Sequence, residues 1–235
     1  MSEHDGFACV DGAALDTDTA YRLLVGCVVP RPVAWITTVD GQGRVNAAPF
    51  SSYNYVATSP PMLAVNIALR AGRGEIKDTA RNIERQREFV VNVATELNME
   101  TLHRSAQEYP PEISEIEQLG IPVLPSRHVR PPRIALSPVQ MECRLDQVVR
   151  LGRGINTLYI GEVLAFHLDP AVYDGQRVDS VRLRPIARLG GPLYAGLGPV
   201  FHRPMLQRPP GGEGWDPGST GAAPASASAP REETP

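Results

Sequence analysis

The chain has little of what usually decides a protein's chemistry at a glance. Among its 235 residues no apolar run approaches the roughly 20 residues of a membrane-spanning helix. The stretches from Val25 to Val29 and from Val90 to Val93 fall far short. The N-terminal residues MSEHDGFACVDG are acidic and lack the basic-then-apolar order of a signal peptide. An excess of positive charge is missing too: 23 Lys and Arg against 26 Asp and Glu leave a net charge of −3. That argues against a general nucleic-acid binder, which needs basic charge to displace counterions. The expectation is a cytoplasmic protein with no nucleic-acid and no membrane partner. The three cysteines, Cys9, Cys27 and Cys143, form no CxxC pair, and an odd count without a framework fits a reducing compartment. Cys27 and Cys143 read as small buried apolar residues, and Cys9, in a polar leader, as the candidate exposed thiol. The five histidines are scattered, with neither HExxH nor CxxC spacing, so no metal site is expected. No GxGxxG follows a strand, no GxxxxGK[ST] occurs and no GxSxG is present. A Rossmann domain, a nucleoside-triphosphate loop and a hydrolase elbow are therefore unsupported.

What is present is a composition of 42% hydrophobic and 21% charged residues, ordinary for a globular domain. Beyond residue 200 the chain turns to Pro, Gly, Ala and Ser, a mixture that cannot bury enough apolar area to offset its ordering entropy. The expected division is a flexible leader over 1–14, one folded domain over 15–200 and a disordered tail over 201–235.

Within the domain, strand signals dominate. RPVAWITTVD gives a strand over 33–39, GQGR a turn over 41–44, and VNAAPFSSYNYVAT an antiparallel partner interrupted at Pro49. A proline removes a ladder donor, so Pro49 indicates an edge or a bulge. PMLAVNI and EFVVNVAT are two further strands. VQMECRLDQVVRL and NTLYIGEVLAFHLD form a long hairpin about a glycine turn, and a short strand lies near 184–189. Helices are fewer. One spans 17–25, capped by Thr17 or Asp18, with Ala20, Leu23 and Leu24 on one face. Others span 79–87, with Asp78 as N-cap, 97–107 and 112–119. Short strands with a minority of helix indicate a mostly β barrel with helical excursions.

Two stretches carry candidate chemistry. In WITT and NAAPFSSYN, Thr37, Thr38, Asn46, Ser51, Ser52 and Asn54 sit on adjacent strands. Alternation puts Thr37 and Thr38 on opposite faces, and likewise Ser51 and Ser52. Taken alone, threonine β-propensity and the turn chemistry of serine and asparagine are the favoured explanation of these residues. The break at Pro49 adds freed backbone N–H groups that need partners, and a planar polar ring is one such partner. In AVNIALRAGRGEIKDTARNI, a strand ends at Ile67, and Arg70 and Arg73 lie on a glycine-containing loop. Lys77, Asp78 and Thr79 then open a helix. Open N–H groups and the helix dipole favour an anion there, while a solvated loop with surface ion pairs accounts for the same composition. A third stretch, VRPPRIALSPVQMECRL, reads as an extended entry to a strand, without assigned chemistry.

These stretches, in this order and together with SPPMLAVNI, KDTARNIERQREFVVNVAT, YIGEVLAFHL and RLRPIARLGGPLYA, resemble the flavin reductase-like family of FMN-binding split β-barrels. The resemblance covers about residues 22–196. It implies a six-stranded, antiparallel, Greek-key-like split barrel, a homodimer, and FMN bound near the dimer interface. By position it places Thr37, Thr38, Ser51, Ser52, Tyr53 and Asn54 beside the flavin ring with Asn66 and Ile67, and Arg70, Lys77 and Thr79 on the phosphate side. Tyr53 and Tyr55, spaced around Asn54, stand where the family's aromatic pair follows its serine. Trp35 is either a ring neighbour or a barrel-core residue.

The activity implied is NAD(P)H:flavin oxidoreductase, as in the reductase component of a two-component monooxygenase. The alternatives are a flavoredoxin-type electron carrier and a non-catalytic flavin-binding barrel. Chemistry then belongs to the cofactor. NADH or NADPH would deliver hydride to flavin N5, with no obligatory catalytic acid or base, and the protein's task would be positioning. With no separate dinucleotide motif, nicotinamide would share the flavin's cleft, where His103 and His128 are candidate contacts.

Overall fold

The computed structural model describes residues 6–70 and 72–203. The tail expected to be disordered lies, from residue 204 onward, outside the described residues. In chain order the strands are β1 (Arg31–Pro32), β2 (Ala34–Val39), β3 (Val45–Phe50), β4 (Tyr53–Thr58), β5 (Pro61–Ala68) and β6 (Glu88–Val93). They continue with β7 (Val123–Leu124), β8 (Arg133–Ile134), β9 (Val139–Leu151), β10 (Asn156–Leu168), β11 (Ala187–Arg188) and β12 (Tyr194–Ala195). The helices are α1 (Thr17–Cys27), α2 (Asp78–Gln86), α3 (Met99–Arg104), α4 (Glu115–Leu119) and α5 (Ser180–Leu183). The molecule is mostly β with few helices. Residues Met1–Gly198 form one unit and Pro199–Pro235 another; of the second, residues 199–203 are described, and all are exposed.

Seven antiparallel strands make the main sheet, in the order β3-β2-β6-β9-β10-β5-β4. Its two outermost strands, β3 and β4, are consecutive in the chain, separated only by Ser51 and Ser52. A flat sheet of this width, at about 4.8 Å per strand, would hold its edges roughly 29 Å apart. The step from Phe50 to Tyr53 reaches at most about 11 Å. The sheet must therefore curl until its edges meet, which is a barrel split along one seam. The Asn66 N–H donates to the Ser52 carbonyl at 2.8 Å and ties the crossing to β5. Pro49 lies within β3 opposite Trp35, on an edge strand, where its missing N–H costs no ladder bond. Six strands were expected and seven are hydrogen-bonded. The stretch 45–58 read as one strand breaks at the serines, whose segment crosses the seam.

Alternation on β2 serves two cores. Ile36 packs inside the barrel with Phe89, Val91, Met141, Cys143 and Val163. Trp35, its neighbour, faces outward against Leu102, Ile116, Ile134 and Ile186. All six residues of β2 are buried, as expected of a strand covered on both faces.

Helix α1 departs from expectation. Its N-cap is Asp16, whose carboxylate accepts from the Thr19 N–H at 2.8 Å, and not Thr17 or Asp18. None of its residues is buried, so the face of Leu23 and Leu24 is exposed and Cys27 is an exposed thiol, contrary to its expected burial. The helix is anchored from its C-terminal end, where Arg31 donates to the Val25 and Val28 carbonyls, both at 2.7 Å, and to Leu189 at 3.0 Å. The leader, described from Gly6, carries a short turn over Gly12–Ala14 capped by Asp11.

Gly161 in β10 marks a close approach. A Cβ there would come within 2.6 Å of the Phe89 ring and 3.2 Å of the Arg144 carbonyl. Phe89 is fully buried and has nowhere to move. Gly161→Ala is expected to destabilise the fold by about 1–3 kcal/mol through overpacking, read as a lowered midpoint in urea unfolding. An unchanged midpoint would show that Phe89 can shift.

Candidate functional site

Helix α2 starts without a side-chain cap. Lys77 occupies the N-cap position and makes no capping hydrogen bond. Asp78, expected as the cap, is instead the first helical residue. Its carboxylate is taken by two guanidinium groups: Oδ2 accepts from Arg70 at 2.5 Å, and Oδ1 accepts from Arg81. Two charged donors outcompete a backbone amide for a carboxylate. The first-turn N–H groups of α2 are left without a side-chain acceptor, beside the positive end of its dipole.

This helix start opens onto a cleft of about 110 Å³, walled by Asn46 and Ala48–Phe50 of β3, by Arg70 and Lys77–Thr79, and by Ser105–Tyr109 and Glu115. Lys77 is half-buried, with its Nζ 5.8 Å from the centre of the Phe50 ring. Burial, and then the neighbouring Arg70 charge, pull its pKa below the usual lysine value, while Glu108 acts in the opposite sense. Arg70 is paired with Asp78 and lies 3.6 Å from Glu108. Among the described residues Lys77 has no carboxylate partner. The cleft thus holds one neutralised cation and one free one. Thr79 is buried, and its hydroxyl oxygen accepts from the Asn46 amide at 2.9 Å.

Three of the expected residues, Arg70, Lys77 and Thr79, therefore share one cleft. Its β3 wall leads directly to the seam, where Ser51, Ser52, Tyr53 and Asn54 stand beside Asn66. The Asn66 side-chain oxygen is buried without a hydrogen-bond partner. Burial raises the pKa of Tyr53. Asn54 is exposed, with its side-chain oxygen accepting from the Tyr55 N–H at 2.9 Å. Three expected residues lie elsewhere. Thr37 is fully buried and its hydroxyl donates to the Pro132 carbonyl at 2.6 Å. Thr38 is fully buried and accepts from Asn82 at 3.1 Å. Ile67 belongs to the inner core. Because β2 is covered on both faces, neither threonine presents its hydroxyl to the cleft. Trp35 is a core residue. His103 lies edge-on to Tyr194, ring centres 5.9 Å apart, and His128 lines a separate cavity.

Sequence reasoning missed Phe50 and Glu115 as cleft residues. Glu115 sits in the first turn of α4, behind the Ser114 cap, and its Oε2 accepts from the Ala47 N–H at 3.0 Å. A serine followed by acidic residues is a helix-start signal, but nothing in it reports burial. A second cavity of about 340 Å³ adjoins, sharing Asn46, Asp78 and Glu115 and adding Arg44, Arg81 and Arg85.

Residues 25–182 match the family model described as the flavin reductase like domain. The chain belongs to the flavin reductase-like family. A Bacillus subtilis (strain 168) relative, the uncharacterized protein YwrF, is 40% identical over 80% of this chain and 93% of its own length. Among solved structures, nitrilotriacetate monooxygenase component B from Bacillus cereus is 34% identical, with a TM-score of 0.80 over 85% of this chain and 100% of that one. The Pseudomonas fluorescens 2-nitrobenzoate 2-nitroreductase NbaA is 30% identical, with a TM-score of 0.74 over 86% of this chain and 97% of that one.

Glu115 gives this flavin reductase-like protein a measurable pH signature. Burial raises its pKa, against the opposing Ala47 hydrogen bond. The folded state thus holds a proton to a higher pH than the unfolded chain, and stability is lost as pH rises from the unfolded-chain pKa through the folded one, where the buried charge forms. Glu115→Gln keeps an acceptor for Ala47 and carries no charge. It is expected to raise the melting temperature at pH 7.5, with the gain closing toward pH 4. A gain that grows on acidification would contradict the assignment.

Proposed function

We propose that the protein is an FMN-dependent NAD(P)H:flavin oxidoreductase. The observation that carries this reading is the free cation Lys77 at an uncapped helix start, in a cleft running to the seam. A phosphate monoester suits that combination of charge and open N–H groups. The unpartnered Asn66 oxygen is a buried acceptor needing a donor, and the imide N–H of a flavin ring is such a donor. Lys77, Thr79 and the first turn of α2 would hold the phosphate, with Arg70 anchored by Asp78 as a second charge. The Ser51–Asn54 segment and Asn66 would orient the ring. Bound there, FMN would supply hydride acceptance from a nicotinamide, and the protein's residues position, exclude water and neutralise charge. Thr37 and Thr38 would act through the strands they hold.

Membership of the family supports the oxidoreductase assignment. The Bacillus cereus neighbour is by name one component of a monooxygenase, and its likeness supports a separate oxygenase as electron acceptor. A homodimer is part of the same proposal. Tyr55 and Val56, on edge strand β4 beside the seam, are 68% and 50% exposed, and a second copy covering them would close the ring side of the cleft. Exposed apolar surface of this kind is typical of an interface.

Purified protein is expected to carry flavin absorbance and to bleach under anaerobic NADH or NADPH. Flavin that neither nicotinamide bleaches would leave the electron-carrier alternative. Lys77→Ala is expected to weaken FMN by about 10- to 150-fold, the loss of one charge-assisted contact, and to leave riboflavin nearly unaffected. Wild-type FMN retention should fall as pH rises through the lowered Lys77 pKa, because the deprotonated amine no longer offsets phosphate. Lys77→Ala should lack this fall, as equilibrium dialysis across alkaline pH would show. Equal losses for FMN and riboflavin would remove the phosphate role.

A further inference from the structure

The segment around Arg127–Arg133 folds over the outer side of β9 and β10 and walls a cavity of about 500 Å³. It shares no lining residue with the Lys77 cleft. His167 lines it and is paired with a carboxylate that does not. Glu142 is fully buried, and both of its oxygens are engaged. Oε1 accepts from the Arg127 N–H at 2.8 Å and lies 2.6 Å from His167 Nε2, and Oε2 accepts from the His128 N–H at 2.6 Å. Burial acts to raise the Glu142 pKa, but the two amides and His167 together hold it below the usual carboxylate value. An ionised carboxylate only accepts, so the short contact assigns the proton to Nε2. In the neutral ring Nδ1 then keeps its lone pair, and among the described residues it has no hydrogen-bond partner. Two amides already satisfy the buried carboxylate, so tying down the loop does not require the imidazole. The His167 side chain, 15% exposed, lines the cavity.

The rest of the lining is complementary. Arg133 is held by the Gln140 side-chain oxygen at 2.9 Å and by the Pro125 carbonyl at 3.1 Å, both neutral acceptors. Arg127 is exposed, and its side chain has no hydrogen-bond partner among the described residues. Neither guanidinium has a carboxylate partner there. Asp169, on the same lining, turns its Oδ1 to the Ala171 N–H at 2.8 Å. Phe166, 51% exposed, and Leu124, 40% exposed, form an apolar side. Guanidinium groups without carboxylate partners, an unpartnered Nδ1 and an apolar wall occur together in a space large enough for a small molecule.

We propose that this cavity is a second ligand site, separate from the Lys77 cleft, for a small hydroxy acid with an apolar body. The acid's carboxylate meets Arg127 and Arg133, its hydroxyl donates to His167 Nδ1, and its body lies along Phe166 and Leu124. Glu142 is a positioning residue that sets the His167 tautomer.

The test uses the full-length, FMN-loaded protein with 4-hydroxybenzoate as probe, and benzoate and inorganic phosphate as comparisons, by calorimetry. The expected result is 4-hydroxybenzoate binding at about 1 mM or tighter, with benzoate at least about tenfold weaker, because it leaves the acceptor unpaired. Arg127→Ala should weaken the probe at least about tenfold, and His167→Phe should abolish its preference over benzoate, both with unchanged flavin content. If His167→Phe fails to fold, nitrogen-15 NMR of the wild type reads the same contact. The His167 Nδ1 resonance, from an Nε2–H tautomer, should move with 4-hydroxybenzoate and stay in place with phosphate. Equal affinity for benzoate, equal affinity in Arg127→Ala, an unmoved Nδ1 resonance, or binding that requires FMN displacement would each overturn the proposal.

Discussion

Two serines carry the chain from one edge of the main sheet to the other, and the rest of the architecture follows from that short reach. Ser51 and Ser52 cannot span a flat seven-stranded sheet, so the sheet closes on itself around Phe89 and its neighbours. Closure leaves a seam in which the backbone is neither β3 nor β4. Asn66 meets the crossing there, with its N–H on the Ser52 carbonyl and its side-chain oxygen unpaired. Irregular backbone and an unspent buried acceptor thus occur together at the seam.

Outside the barrel, buried amides fasten the covering layer. Asn92, fully buried in β6, donates to the Trp35 carbonyl at 2.9 Å and accepts from the Ile134 N–H at 2.8 Å. Asn98 accepts from the Thr95 N–H at 2.9 Å and donates to Leu136 and Ser137, each at 3.2 Å. Such groups are costly to bury unless satisfied, and once satisfied they select one placement of the loop over the sheet. Thr37 belongs to this set through Pro132. That is why a strand threonine expected beside a ligand serves the loop.

In the Lys77 cleft the decisive term is how charge is shared. The loop carries three basic residues, Arg70, Arg73 and Lys77, and one carboxylate at the helix start. Asp78 pairs with both Arg70 and Arg81, and Arg73 is exposed. Lys77 is the cation left half-buried without a counter-ion. Burial, and then the Arg70 charge, depress its pKa, and it sits at an uncapped helix start.

The sequence by itself determined the elements whose signals are local. These were the β2 strand, the edge character of Pro49, the long β9–β10 hairpin, the helix after Lys77, and the loop bearing Arg70, Lys77 and Thr79. Hydrophobic alternation, a missing proline donor and glycine turns all act within a few residues, so they can be read without a fold. The tertiary structure alone decided which polar side chains were already occupied. Thr37, Thr38 and Asp78 have partners from 3 to 95 residues away, and Cys27 is exposed because α1 buries none of its residues. Glu115 and Phe50 entered the cleft, and Glu142 met His167, through packing between segments that no local pattern connects. Hydrogen-bond satisfaction is a property of the closed barrel. Which groups remain free for a ligand is known only after every internal partner has been assigned.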